Sequence, residues 1–235
     1  MAEPVRWELT ELARCGVPPD RADAVEAFVA PAFTDGALPR RTKMVMLFLA
    51  ATAVGNEREA TRAMTAALDA GLSRQELLDA LLAGALCRGV ALLWAGARWL
   101  PMAPLETGGS WGPPVCAATE EDMVRYLVDQ NPAAAVPVHE LAAAAPDVLG
   151  AYYALRSTVL ADGPFSRSHK ELMLVVINAA ERFERGVEVH LDASFACGAS
   201  VAEAAEALLV ATVVGGVPAW QTGAHALARA RGAEA

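Results

Sequence analysis

The sequence predicts an all-α protein built as a tandem duplication of one helical repeat, and three observations predict it. Hydrophobic residues make up 54% of the 235 positions while aromatics make up only 6%. The apolar content is therefore mostly Ala, Leu and Val, and Ala and Leu are strong helix formers. The chain also resembles itself. Placing Lys43 on Lys170, a shift of 170 − 43 = 127 positions, aligns 35–97 with 162–224 without a gap. Asp35-Gly36 then falls on Asp162-Gly163, Glu57-Arg58 on Glu184-Arg185, Gly71 on Gly198, Gly89-Val90 on Gly216-Val217 and Gly96-Ala97 on Gly223-Ala224. Chance aligns alanines easily, but not glycines, charged pairs and turn signals together. Finally, no set of segments reads as strands.

Each copy follows one helical plan. A short helix, 22–33 or 148–160, runs toward an Asp-Gly turn signal. A second, very apolar helix starts near Arg40 or after Ser166, the latter a good N-cap. A third helix ends at Gly71 or Gly198, each suited to the position just past a helix. Ser73 and Ser200 then cap a fourth helix, with Glu76 and Glu203 at capping-box spacing. That helix ends near Gly89 or Gly216, and a last helix follows. Between the copies, 101–114 is rich in Pro and Gly and reads as a linker. A short amphipathic helix follows at 123–130, and Pro132 and Pro137 punctuate the lead into the second copy. The expected organisation is a first repeat at 22–100, a linker with a short helix at 101–145, and a second repeat at 146–228.

The net charge of −9 argues against a nucleic-acid partner, which needs clustered Lys and Arg. The amino-terminal stretch lacks the apolar core of a signal peptide. No continuous apolar run reaches the roughly 20 residues that span a bilayer. The longest, 44–55, reads as a buried helix, so the expectation is a soluble cytoplasmic protein with no membrane partner. Cys15, Cys87, Cys116 and Cys197 form no C-x-x-C pair and read as reduced thiols. No histidine spacing suits a metal, and no Gly-rich phosphate motif occurs, so neither metal nor other cofactor is expected.

The second copy reads L-A-D-G-P-F-S-R-S-H-K-E-L, then G-V-E-V-H-L-D-A-S-F-A-C-G-A-S-V-A-E, and closes with E-A-L-L-V-A-T-V-V-G-G-V-P-A. This pattern resembles the carboxymuconolactone decarboxylase/AhpD-like family over roughly 146–227, and the first copy matches the same framework more weakly. The resemblance implies an all-α fold, assembly into trimers or hexamers, and a site between helices built around a Glu and a His. These would be Glu171 and His190. Family peroxidases place a C-x-x-C between that pair, and here those positions are Phe183 and Gly186. The missing dithiol favours the decarboxylase branch. In the first copy the dyad positions hold Met44 and Ala63, which makes that copy a structural partner without a site.

Read as residues, Glu171 is either a first-turn acid that suits the helix dipole or a general acid/base in a pocket. His190 is either a core histidine with one hydrogen bond or the partner proton carrier. A chain reversal near Ala180 would bring both to one level on antiparallel helices. Beside that turn, Arg182 is the expected anchor for a substrate carboxylate. Arg185 recurs as Arg58 in the copy without a site, so a structural role fits it better. Trp220 could line a pocket, although packing is its ordinary role, as for Phe165, Tyr152 and Tyr153. His225 could touch substrate, with surface or interface the default. His169 reads as exposed and His139 as a loop residue. The expected function is a cofactor-free, lyase-like enzyme acting on a small organic acid, lactone or oxo compound, self-associated as a trimer. Two alternatives stand beside it. One is a peroxide-detoxifying protein, for which Cys197 is the only thiol in the relevant copy. The other is a non-catalytic oligomeric ligand-binding scaffold.

Overall fold

The structure, a computed structural model, describes residues 9–100 and 119–234. The linker expected at 101–114 lies outside the described residues. Two short helices open the chain, α1 (Leu9–Arg14) and α2 (Pro19–Val29), with a 3₁₀ turn over Ala30–Ala32. The first repeat continues through α3 (Arg40–Ala53), α4 (Glu57–Asp69) and α5 (Arg74–Ala97). Between the repeats stand α6 (Glu120–Gln130) and α7 (Ala135–Ala144). The second repeat comprises α8 (Pro146–Val159), α9 (Arg167–Ala180), α10 (Glu184–Ala196), α11 (Val201–Gly215) and α12 (Val217–Glu234). The described residues contain no strand.

Local chemistry explains why the boundaries recur. Asp35 Oδ1 accepts the Arg40 N–H at 2.6 Å and Asp162 Oδ1 accepts the Arg167 N–H at 2.7 Å, so each Asp-Gly turn is tied to the helix it precedes. Ser73 and Ser200 both complete capping boxes with Glu76 and Glu203. Gly89 (φ 63°, ψ −173°) and Gly216 (φ 67°, ψ −170°) adopt the same backbone, which is essentially restricted to glycine. Gly89 interrupts the helical backbone inside α5, so α5 is two helices meeting at a kink, and Gly216 separates α11 from α12 at the equivalent place.

The two repeats share one core. From Met44 to Ala51, α3 is wholly buried, as is α9 from Lys170 to Ala180, and these helices pack on each other at the centre. Against them, α5 packs on both α3 and α9, and α11 does the same. A second, small apolar cluster around Leu127, Val138, Leu149 and Tyr153 joins α6, α7 and α8.

Two buried lysines, each paired with a carboxylate of the other repeat, mark the join. Lys43 Nζ reaches Glu206 Oε2 at 2.7 Å, and Lys170 Nζ reaches Asp79 Oδ1 at 2.7 Å. The shift of 127 relates Lys43 to Lys170 and Asp79 to Glu206, so each repeat supplies the counterion for the other's lysine. The carboxylates repeat their second task too. Glu206 accepts the N–H groups of Ala37 and Leu38, and Asp79 accepts that of Phe165, the counterpart of Leu38.

One expectation needs correction. The segment after Pro132 is not merely a lead-in: it forms α7, and His139 lies on that helix rather than in a loop. Pro137 is tolerated because it falls in the first turn, where an N–H has no partner to lose. In addition, α5 is long and apolar enough, by length and composition alone, to cross a membrane. A search for continuous apolar runs passes over it because Asp79 and Arg88 interrupt the run. Its first half packs apolar residues such as Leu77 and Leu81 into the core, while Val90 and Trp94 beyond Gly89 are exposed.

Candidate functional site

Helices α9 and α10 form an antiparallel hairpin that turns at Glu181, Arg182 and Phe183, one to three residues past Ala180. Arg182 has a φ of 63°, the one positive value among the described non-glycine residues. Its counterpart in the first repeat is Gly55, with a φ of 75°. The turn requires a left-handed residue, and Arg182 adopts that conformation without the freedom of glycine.

The hairpin brings Glu171 and His190 together. His190 Nδ1 lies 2.8 Å from Glu171 Oε2. Glu171 is 0% exposed and His190 9%. With the carboxylate on Nδ1, the ring directs Nε2 toward Cys87, whose Sγ is 3.5 Å away. Burial of the ring disfavours its charge, but hydrogen bonds to Cys87 and Glu171 outweigh that, and the His190 pKa is raised to about 9. The second oxygen of Glu171, Oε1, has no hydrogen-bond partner, and the Arg167 Nη2 cation stands 3.9 Å from it.

His190 opens onto a cleft of about 530 Å³ lined by Leu86, Cys87, Arg88, Asn178, Glu181, Phe183, Gly186 and itself. The first three lining residues belong to α5 of the first repeat. Asn178 lies two turns along α9 from Glu171, on the same face. Its Nδ2 donates to Leu174 O at 2.7 Å and to Cys87 Sγ at 3.3 Å. Gly186, one turn before His190, is closely approached: a Cβ there would sit 2.3 Å from Asn178 Oδ1. Arg88 Nη1 pairs with Glu181 at 2.9 Å on the cleft wall, and burial raises the Glu181 pKa against that pairing.

The remaining sequence-derived residues lie elsewhere. Arg182 is exposed at the turn and is not among the residues lining the cleft. Trp220 is half-buried against the main core, and His225 is exposed on α12; neither lines the cleft. Each follows from backbone geometry: Arg182 serves the left-handed turn, and Trp220 faces the core. His169 is only half-exposed, with Nε2 3.6 Å from Glu203 Oε1. Cys197 caps the end of α10, and burial pushes its thiol pKa up. Sequence reasoning missed Cys87, Arg88, Asn178 and Arg167. Cys87 stands 103 residues from His190, in the repeat read as having no site. No group of three or more His, Cys, Asp or Glu among the described residues could hold a metal.

A tandem all-α repeat with one Glu–His pair in a cleft between its halves defines the class. The model of the carboxymuconolactone decarboxylase family matches residues 19–101 and 146–229, and this chain belongs to that family. No curated protein matches the chain.

Proposed function

We propose that the protein is a cofactor-free general acid/base enzyme acting on a small organic acid, lactone or oxo compound. One observation carries this reading: a fully buried carboxylate holds His190 by Nδ1 and leaves Nε2 on the side of an open cleft. At neutral pH the raised pKa keeps the ring protonated, so Nε2–H is a proton donor. In a decarboxylation, CO₂ leaves and its bonding electrons remain on carbon as a carbanion or enolate. The imidazolium stabilises that charge and delivers its proton to the carbon, and the neutral ring is reprotonated from solvent. An isomerisation, cyclisation or hydrolysis would use the same donor. Arg88 takes over the anion-binding role expected of Arg182, since it is the arginine that lines the cleft.

Turnover of a panel of small lactones and oxo acids tests the reading. Glu171→Gln and His190→Asn should each lower it by about 10²–10⁴-fold with the helical circular dichroism intact. Full activity in both variants would refute the dyad. Absence of any response of the His190 ring signals to small carboxylates, in NMR titration, would favour the non-catalytic scaffold. We also propose self-association as a trimer, supported by exposed apolar residues on the outer half of α5, where Trp94 is 73% and Val90 58% exposed. A monomer by light scattering at micromolar concentration would overturn that.

A further inference from the structure

We propose that Cys87 is the nucleophile of this site, and that Cys87, His190 and Glu171 form a thiol–imidazole–carboxylate triad, assembled across the two repeats, that takes an activated acyl carbon such as that of a lactone. The proposal rests on the reading of Glu171 and His190 as a working dyad. Its geometry is that of an activated nucleophile: the thiol meets a base at 3.5 Å, and the base is oriented from its other nitrogen by a carboxylate at 2.8 Å. The third group at the sulfur is a donor. Asn178 Nδ2, fixed by Leu174 O, stands 3.3 Å from Sγ, beside the place where an attacked acyl oxygen would gain charge. Sulfur, ring and amide all line one cleft, so a substrate reaches the three together.

The pseudo-symmetry of the molecule makes a packing origin a poor account of the cluster. The shift that relates the repeats turns Cys87 into Val214, Asn178 into Ala51, Glu171 into Met44 and His190 into Ala63. The symmetry-related location folds with apolar residues at all four places. The polar set exists once, and its sulfur comes from the half that lacks the dyad.

The chemistry balances without an oxidant. In the first step His190 Nε2 holds the proton that the Cys87 sulfur gives up as it attacks. The Cys87 thiolate attacks the lactone carbonyl carbon, an S–C bond forms, the ring C–O bond breaks, and the departing alkoxide takes the proton from Nε2. A water then attacks the thioester while Nε2 removes its proton. The S–C bond breaks, and thiolate, imidazolium and a hydroxy acid remain, the net change being addition of one water.

Alkylation by iodoacetamide, read residue by residue by mass spectrometry, tests the thiolate directly. The charged groups around the pair are Glu171 on α9 with Arg167 behind it, Arg88 on α5, and Glu181 beyond the end of α9. At pH 6, Cys87 should react about tenfold faster than the exposed Cys15, because the His190 ring 3.5 Å from its sulfur stabilises the attacking thiolate. His190→Asn should remove that advantage. Incubation with p-nitrophenyl acetate should give a burst of nitrophenolate and an acetyl group on Cys87, both lost in Cys87→Ser. A Cys87 that alkylates no faster than Cys15, or that gains no acetyl group, would overturn the proposal. If the Glu171 and His190 variants still abolish turnover while Cys87→Ser does not, the dyad reading stands and the nucleophile alone is wrong. Because the pH 6 comparison is made within the wild-type chain, it does not depend on any variant folding.

Discussion

At His190 two opposing effects meet: desolvation disfavours the charged ring, while the hydrogen bonds to Cys87 and Glu171 favour it and prevail. A histidine whose folded pKa is raised from 6.5 to about 9 binds its proton more tightly when folded than when unfolded. Its contribution to stability is therefore complete below about pH 6.5 and is lost as pH rises through about 9. Thermal melts of the wild type should show a fall in Tm between pH 7 and pH 10 that His190→Asn largely removes; equal falls in both proteins would contradict this. Gly186 is a second residue where the demand is specific. Its missing Cβ makes room for the Asn178 amide, so Gly186→Ala should cost about 1–3 kcal/mol by urea unfolding. The dyad was legible because its two members lie 19 residues apart within one repeat, on a recognisable motif. Cys87 was not, because no local spacing reports a contact across 103 residues, and alignment of the repeats sets it against an unremarkable valine.

At the scale of elements, the helices were legible wherever a cap or a glycine enforces an end. Both capping boxes open their helices, and the left-handed Gly71 and Gly198 close theirs, where the repeat places them. The turn between α9 and α10 carried no such mark, because Arg182 occupies the position that Gly55 holds in the first repeat. An arginine beside a candidate site then reads as a substrate anchor, when its backbone already gives it a role in the turn. The two readings separate experimentally. Arg182→Gly relieves a left-handed non-glycine residue and should stabilise the protein by up to about 1 kcal/mol, with KM unchanged. A rise in KM without a gain in stability would restore Arg182 to the site. The helix α7 was missed for a related reason: Pro137 looks like a breaker until its place in the first turn is known.

The whole molecule behaves as two halves that complete each other. Lys170 and Asp79 are both about 1% exposed, and burial raises the Asp79 pKa even though Lys170 opposes it. Removing one member of such a pair strands the other, so Lys170→Ala should cost about 3–5 kcal/mol, much of it recovered in a Lys170→Met, Asp79→Leu double variant. The same reciprocity governs what a separated half would do. A fragment of 119–235 keeps Lys170 and Glu206 but loses Asp79 and Lys43, the partners of both. It also exposes the faces of α9 and α11 that α3 and α5 cover. Because Lys43 corresponds to Lys170 and Asp79 to Glu206, a second copy of the fragment can occupy the place of the first repeat. Two symmetric Lys170–Glu206 pairs would then replace the two native ones, as an isologous contact requires. The fragment should therefore be a homodimer by light scattering, with a Tm that rises with concentration. Glu206→Lys should abolish dimerisation and cooperative folding together, because it sets like charges against each other at both joins. A fragment that melts cooperatively as a monomer would show that each repeat closes its own core, contrary to the reciprocal packing of α3, α5, α9 and α11.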